Sequence, residues 1–369
     1  MTYAESNSLV ELAELISQAL AHRSWQIAAV ICGSIVALAV LNVIAPRLEL
    51  VDHPQGERKR HHHPIALTGG LAILCGVWIG TFANAETDAH NILALLGIVA
   101  AVHTFDDQSG LSAHQRLLID AVIALAFVVI TDDLVETLGT VDGHEVSLGV
   151  LSVPFTILLY VAVSNAYNMI DGLDGLALSQ FLIALLGVGL FHLEYAQASG
   201  FPPLAFSVVI ACIVILLANL GMLGRFFRCL LGDSGARFLG FFLVYVLVVE
   251  GYRILSPVAA VYFIALPLLD MCAVIGVRLR VGHAPMHADR RHLHHLLVDS
   301  GVAPLHAVLI MGSLSLALIG LFIIQHVIGF SDLALGTVFV GVAILYWQSR
   351  PNLVRGLVHV CAVPPKIER

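Results

Sequence analysis

Apolar residues fall in long uninterrupted blocks along this chain, and short connections between the blocks hold most of the charge. A hydrocarbon core needs about 20 such residues per helix. Scanning on that criterion predicts about eleven spans, some of them short: Ile27 to Ala45, Ala66 to Phe82, Asn91 to Phe105, Leu117 to Ile130, Leu151 to Val163, Gly175 to Phe191, Leu204 to Leu223, Phe238 to Val249, Val258 to Val277, Ala307 to Val327 and Leu333 to Trp347. The blocks outrun barrel strands and do not alternate, so only helices are expected. The expected class is an all-α polytopic integral membrane protein, one membrane-embedded domain over residues 1–369. Ahead of the first block, Leu9, Leu12, Leu15, Ile16 and Leu20 recur at helical spacing and predict an interfacial amphipathic helix over residues 8–21, with a frayed terminus as the alternative.

Composition agrees with a lipid solvent. Mean hydropathy is +0.91, and 59% of residues are hydrophobic while 12% are charged, against roughly 25% charged in soluble domains. The opening segment carries three Glu and one late Arg, the reverse of a signal peptide, so no cleaved targeting sequence is read there. The six cysteines are scattered without CxxC pairing and read as packing residues.

Charge sets the orientation. Threading the chain through eleven spans puts Arg23 and Arg253 on one side and the other sixteen of the 18 Lys and Arg on the opposite side. The positive-inside rule makes the basic side cytoplasmic, with the C-terminus there and the N-terminus outside. The opposite face carries "TDDLVETLGTVDGHE", acidic and free of Lys and Arg. Net charge is −8, and no nucleic-acid partner is expected.

The polar clusters then all land on the basic face. In "NAYNMIDGLDG", Asn165, Asn168, Asp171 and Asp174 recur every three residues, a single stripe if helical. Asp106 and Asp107 are adjacent at a helix end, Asp233 sits in "GDSG", and residues 278–301 form an Arg/His-rich cytoplasmic loop. Carboxylates meeting at one site repel unless a cation neutralises them. Oxygen ligands without a cysteine cluster favour Mg²⁺, completed by water and substrate phosphate. Arg58, Lys59, Arg60, Arg225, Arg228, Arg290 and Arg291 are counter-charges suited to a polyphosphate. Each cluster alone has a bland reading: solvated loop acids, turn glycines, lipid-headgroup anchors. "HLHH" could bind zinc, lie idle or grip phosphate. A transporter or metal-handling protein is the competing class, but it would carry ionisable residues near the bilayer midplane. Here the mid-helix positions read as nearly clean.

The blocks "VDHPQGERKRH", "LTGGLAI", "FDDQSGLS", "NAYNMIDGLDGLA", "LGDSGARFLGF", "ALPLLDM" and "DRRHLHHLL" resemble, in order and spacing, the polyprenyl-phosphate N-acetylhexosamine-1-phosphate transferase family. The resemblance implies transfer of a sugar 1-phosphate from a UDP-sugar to undecaprenyl phosphate, releasing UMP, at the cytoplasmic face of the inner membrane. This would initiate a surface polysaccharide, in the lipid bilayer, with Mg²⁺ or Mn²⁺ as cofactor and a homodimer as the expected assembly. By motif, Asp106 and Asp107 resemble the aspartate pair at the reaction centre, and Asp233 resembles the magnesium ligand, with Asp107 and Asn168 beside it. Asn165, Asn168, Asp171 and Asp174 resemble the nucleotide pocket, and Lys59 a diphosphate contact. Arg290, Arg291, His292, His294 and His295 match the motif that faces the sugar phosphate.

"DRRHLHH" is similar to the form found with UDP-GlcNAc donors, so GlcNAc-1-phosphate is the expected group, another UDP-N-acetylhexosamine being the alternative. Three departures bear on the sugar: Gln108 after the aspartate pair, Ala66 before "LTGG", and Ala236 with Arg237 after "GDSG", where Arg237 is expected as an added phosphate contact. Direct attack by the lipid phosphate with Asp106 as proton acceptor is preferred. The rival makes Asp106 or Asp107 a covalent nucleophile.

Overall fold

The computed structural model describes residues 23–53, 63–82, 87–195, 203–250, 255–287 and 289–361. The helix expected over residues 8–21 and the expected diphosphate contact Lys59 lie outside them. Among the described residues, eight helices are long and apolar enough to cross a membrane, and three shorter apolar helices (Gly69–Thr81, Leu176–His192, Pro203–Asn219) occupy the remaining predicted blocks. The protein is an all-α polytopic membrane protein.

The helices that carry the site are α1 (Ser24–Ile44), α2 (Gly69–Thr81), α3 (Thr87–Ser109), α4 (Ala113–Thr131), α5 (Ser152–Ile170), α6 (Leu176–Tyr195), α7 (Pro203–Asn219) and α8 (Gly232–Tyr245). After a π turn and a 3₁₀ turn come α9 (Ala265–Arg280), α10 (Leu293–Asp299), α11 (Pro304–Ile328) and α12 (Asp332–Cys361).

α8 sits at the centre, buried from Ser234 to Val244, and packs on α2, α3 and α5. Small residues permit this. A side-chain carbon on Gly70 of α2 would collide with the Gly235 backbone of α8, and one on Gly240 would lie 2.5 Å from Ser164 Cα of α5. Without a hydrophobic driving force between helices in lipid, such close approach supplies the attraction. The "LTGG" block is therefore a packing element. Deeper in, Phe127, Tyr160 and Phe241 join α4, α5 and α8 with ring centroids 5.2 to 5.6 Å apart.

The connections between the helices hold short strands that the apolar pattern did not predict. Val51–Asp52 (β1), Ile65–Leu67 (β2) and Cys229–Leu230 (β5) form a small sheet in the order β1-β2-β5, with Val51 opposite Ala66 and Ala66 opposite Cys229. The sheet ties the connection before α2 to the one before α8. At the other end, Thr137–Val141 (β3) and His144–Ser147 (β4) form a hairpin within the acidic connection. Its turn is Asp142-Gly143, both at positive φ (51° and 79°), the conformation that two-residue hairpins favour.

Three helices also extend past their apolar blocks. α3 runs on to Ser109, α5 to Ile170, and α8 begins six residues early at Gly232. Asp106, Asp107, Asn165, Asn168 and Asp233 thus sit in terminal helical turns, not in loops. Hydropathy ends where polarity begins, but the backbone continues because the polar turns face protein and a cavity.

Candidate active site

The last turns of α3 and α5 and the first turn of α8 meet at one end of the bundle, around a cavity of about 1110 Å³. Asp107, Asn168, Asp171, Asp174 and Asp233 line it, together with Arg225, Arg228, Arg290 and His295.

Asp107 is held by the start of α8. Its Oδ1 accepts the Asp233 N–H at 3.0 Å and its Oδ2 the Ser234 N–H at 3.5 Å. First-turn amides have no partner within their own helix, and the helix dipole favours an anion there. Gly232 makes this possible: its φ is +74°, and a Cβ there would lie 2.8 Å from Asp107 Oδ2.

Asp106, expected beside it as the proton acceptor, faces the other way. It is buried, accepts the Leu111 N–H at 2.8 Å and pairs with Arg116 Nε at 2.7 Å. Successive helical residues diverge by about 100°, so an adjacent pair cannot share one target. Arg116 in turn reaches Asp233 Oδ2 at 3.8 Å. A capping box, Ser112 with Gln115, starts α4 and so fixes where Arg116 projects.

The polar stripe also divides. Asn168, Asp171 and Asp174 line the cavity. Asn165 does not: its Nδ2 donates to Asp120 Oδ2 at 3.2 Å, and its Oδ1 accepts from Arg237 at 3.3 Å. Arg237 is itself buried and paired with Asp120, so it is not the added phosphate contact expected of it. Mid-helix positions are correspondingly less clean than the hydropathy pattern implied: His103, Asp120, Arg237 and Asp270 are all buried within apolar helices.

Asp171 follows the last residue of α5. Burial first, then the charges of Asp233, Asp174 and Asp107, push its carboxyl up to about 8. Asp174 pairs with Arg228 at 2.9 Å. Asn219, a residue the sequence did not single out, accepts the Gly175 N–H at 2.5 Å and donates to Cys229 O at 2.9 Å. It thereby fastens the "DGLDG" turn to β5. Only its lone polarity at the end of an apolar block signals it.

The histidine arm is anchored by a residue that the sequence placed in a motif without a role. Asp270 of α9 pairs through Oδ2 with His292 Nδ1 at 2.7 Å. Its Oδ1 accepts the Leu293 N–H at 3.0 Å, Tyr346 OH at 3.0 Å and Arg350 Nη2 at 3.1 Å. His292 is therefore buried against Asp270 instead of lining the cavity. His294 is fully buried, with neither ring nitrogen hydrogen-bonded, and packs on Gly172. Burial and then His295 push its ring down to about 3; burial and then Arg290 push His295 down to about 4. Both are neutral imidazoles at pH 7, able to donate one hydrogen bond each but not to act as cations. Arg290 lines the cavity while pairing with Asp299 at 2.6 Å. Arg291 pairs with Asp289 at 3.7 Å and lies outside the lining.

The comparisons with known proteins fit this arrangement. The glycosyl transferase family 4 model matches residues 89–251, from the start of α3 through the whole of α8. A relative from Escherichia coli (strain K12), named undecaprenyl-phosphate alpha-N-acetylglucosaminyl 1-phosphate transferase, is 32% identical over 265 residues, 70% of this chain and 71% of its own. The chain belongs to glycosyl transferase family 4. Relatives of the same name from Yersinia pestis (31% identical, 78% of this chain and 80% of its own) and Haemophilus influenzae (29%, 85% and 89%) extend the similarity over most of its length. The subgroup is the one to which the "DRRHLHH" motif pointed.

A divalent cation fits the cavity's chemistry. Asp107, Asp171, Asp174 and Asp233 line one cavity, and the charges of Asp233, Asp174 and Asp107 add to burial in pushing the Asp171 carboxyl up. Among the described residues no three His, Cys, Asp or Glu side chains are already gathered as a ligand set. Mg²⁺ does not need such a set, because it keeps several waters and is bound through one or two carboxylates plus substrate phosphates.

Proposed function

We propose that this protein transfers GlcNAc-1-phosphate from UDP-GlcNAc to undecaprenyl phosphate, releasing UMP, as the first step of a surface polysaccharide. The observation that carries the reading is the cavity: acids from three separate helix ends, together with Arg225, Arg228 and Arg290, line one space of about 1110 Å³. The names of relatives above 30% identity supply the acceptor and the transferred group, and the motif resemblance supplies the UDP donor.

The two substrates repel each other. A phosphate monoester, with a second pKa near 6, is largely a dianion at pH 7, and the nucleotide diphosphate is also anionic. Arg225, Arg228 and Arg290 can bind the diphosphate and offset that repulsion. Asp107, Asp233 and Asn168 would hold Mg²⁺, which when bound supplies charge neutralisation to the transferring phosphoryl group. A lipid-phosphate oxygen forms the new bond to the β-phosphorus as the bond to the UMP oxygen breaks. The dianion needs no base, so Asp106 is free to hold Arg116. Neutral His295 can donate a hydrogen bond to the sugar phosphate. Basic residues cluster at this end and the acidic hairpin lies at the other, which supports a cytoplasmic site in the inner membrane.

Purified protein incubated with undecaprenyl phosphate, Mg²⁺ and labelled UDP-GlcNAc should pass label into an organic-solvent extract, and omission of lipid or Mg²⁺ should abolish this. Asp107→Asn and Asp233→Asn should eliminate transfer with membrane expression intact. Label that stays aqueous with wild-type protein, or near-normal transfer by either variant, would reject the assignment. UDP-GalNAc in the same assay tests the sugar.

A further inference from the structure

Below the cavity lies a second rung of charge. α4 carries Arg116 and, one turn deeper, Asp120; α8 carries Asp233 and, one turn deeper, Arg237. The signs are reversed between the helices. Arg116 approaches Asp233 at the cavity, while Asp120 pairs with Arg237 inside the bundle. The inner rung is closed on both flanks: His103 Nε2 of α3 lies 2.9 Å from Asp120 Oδ1, and Asn165 of α5 bonds both Asp120 and Arg237. His103 Nδ1 lies 3.9 Å from Asp106 Oδ2, which joins the inner rung to the outer one.

Stability alone gives no reason for this arrangement. A buried ion pair seldom stabilises more than a well-packed apolar pair of similar volume, and ionisable groups inside membrane helices are costly. The geometry gives another reason. Opposite charges at i and i+4 on two facing helices define one depth and one rotation of α8 against α4; a slip of one turn would bring Arg116 toward Arg237 or Asp120 toward Asp233. The depth of α8 in turn sets where its first-turn amides meet Asp107.

We infer that the Arg237–Asp120 pair is a positioning device that fixes α8 against α4 and thereby holds Asp233 and Asp107 in working register at the cavity. The pair touches no cavity space and acts through α8 and Arg116. The inference rests on the transferase reading only for its kinetic readout.

The test is the pair variant Asp120→Asn/Arg237→Gln, which removes both charges and keeps hydrogen-bonding groups of similar shape. The Asp233 and Ser234 amides have Asp107 as their partner, so their hydrogen exchange reports the register without any substrate. Exchange in the segment spanning residues 231–236 should quicken by about tenfold, since it then follows local opening. At the same time kcat should fall by about 10- to 100-fold, the range typical of lost outer-sphere partners, with a smaller change in KM for UDP-GlcNAc. A kcat within twofold of wild type overturns the inference, whatever the exchange does.

If the pair variant fails to accumulate, Arg237→Lys decides. It keeps the charge but not the fork that spans Asp120 and Asn165; a wild-type kcat and wild-type exchange would make the pair purely structural and overturn the inference, while loss of both would support it. If wild-type protein transferred nothing, the proposed function would fall, and the exchange comparison alone would then judge the register.

Discussion

Asp107 shows how narrowly one carboxylate is placed. Its two oxygens meet the first amides of α8, and a Cβ on Gly232 would lie 2.8 Å from one of them. Gly232→Ala should therefore push Asp107 off those amides and strain a backbone at φ +74°. Displacements near 1 Å can cost about 100-fold in rate, so transfer should drop by about that factor with expression retained; activity within threefold of wild type would show that Asp107 has room to spare. Asp171 makes a pH-dependent prediction. Its folded-state pKa, about 8, lies above the ordinary carboxylate value, so between about pH 4 and pH 8 the folded protein holds a proton that the unfolded chain has lost. Its contribution to stability is thus present in acid and is lost as pH rises through 8. In metal-free detergent solution, thermal stability should decline from pH 5.5 to 8.5, and Asp171→Asn should flatten the decline. Added Mg²⁺ should raise the midpoint more at pH 8 than at pH 5.5. An equal effect at both would mean that no cation meets this charge.

Elements were legible in the sequence to the extent that lipid dictates them. The eleven apolar blocks all became helices because a hydrocarbon solvent permits little else. Helix ends were less legible: "FDDQS" and "NAYNMI" read as connections by polarity, yet complete α3 and α5. Motif residues were readable, but their facing was not. Nothing in the letters separates Asp106 from Asp107, or Asn165 from Asn168, since the outcome depends on which neighbour supplies a partner. Asp270 shows the same limit from the other side. "ALPLLDM" was visible as a motif, but its role needed α12, whose Tyr346 and Arg350 close on it from 76 and 80 residues away. The C-terminal helix thus helps hold the histidine arm, since Arg350 also donates to the Arg291 carbonyl. Arg350→Met should remove a buried counter-charge from Asp270, a loss worth about 3–5 kcal/mol where a buried pair is broken. Thermal denaturation should show a lower midpoint, with protease sensitivity appearing first between residues 283 and 300. An unchanged midpoint would make the contact incidental.

The molecule as a whole is polarised, and its two ends are built differently. One end gathers the carboxylates, arginines and small sheet around a cavity. The other carries the Asp142-Gly143 hairpin, pinned where Asp332 Oδ2 at the start of α12 accepts the Thr140 N–H at 2.8 Å. The cytoplasmic site proposed above places the cavity end on the inner side of the membrane. The distribution of Lys and Arg supports the same orientation independently. The two arguments can be tested together without any enzymology. Single cysteines placed at Gly143, in the exposed hairpin turn, and at Gly282, in the exposed turn after α9, should behave oppositely in an otherwise cysteine-free chain. In intact spheroplasts a membrane-impermeant maleimide should label the Gly143 position at once and the Gly282 position only after lysis. The reverse order would put the cavity outside and would defeat the charge rule and the proposed cytoplasmic site in one experiment.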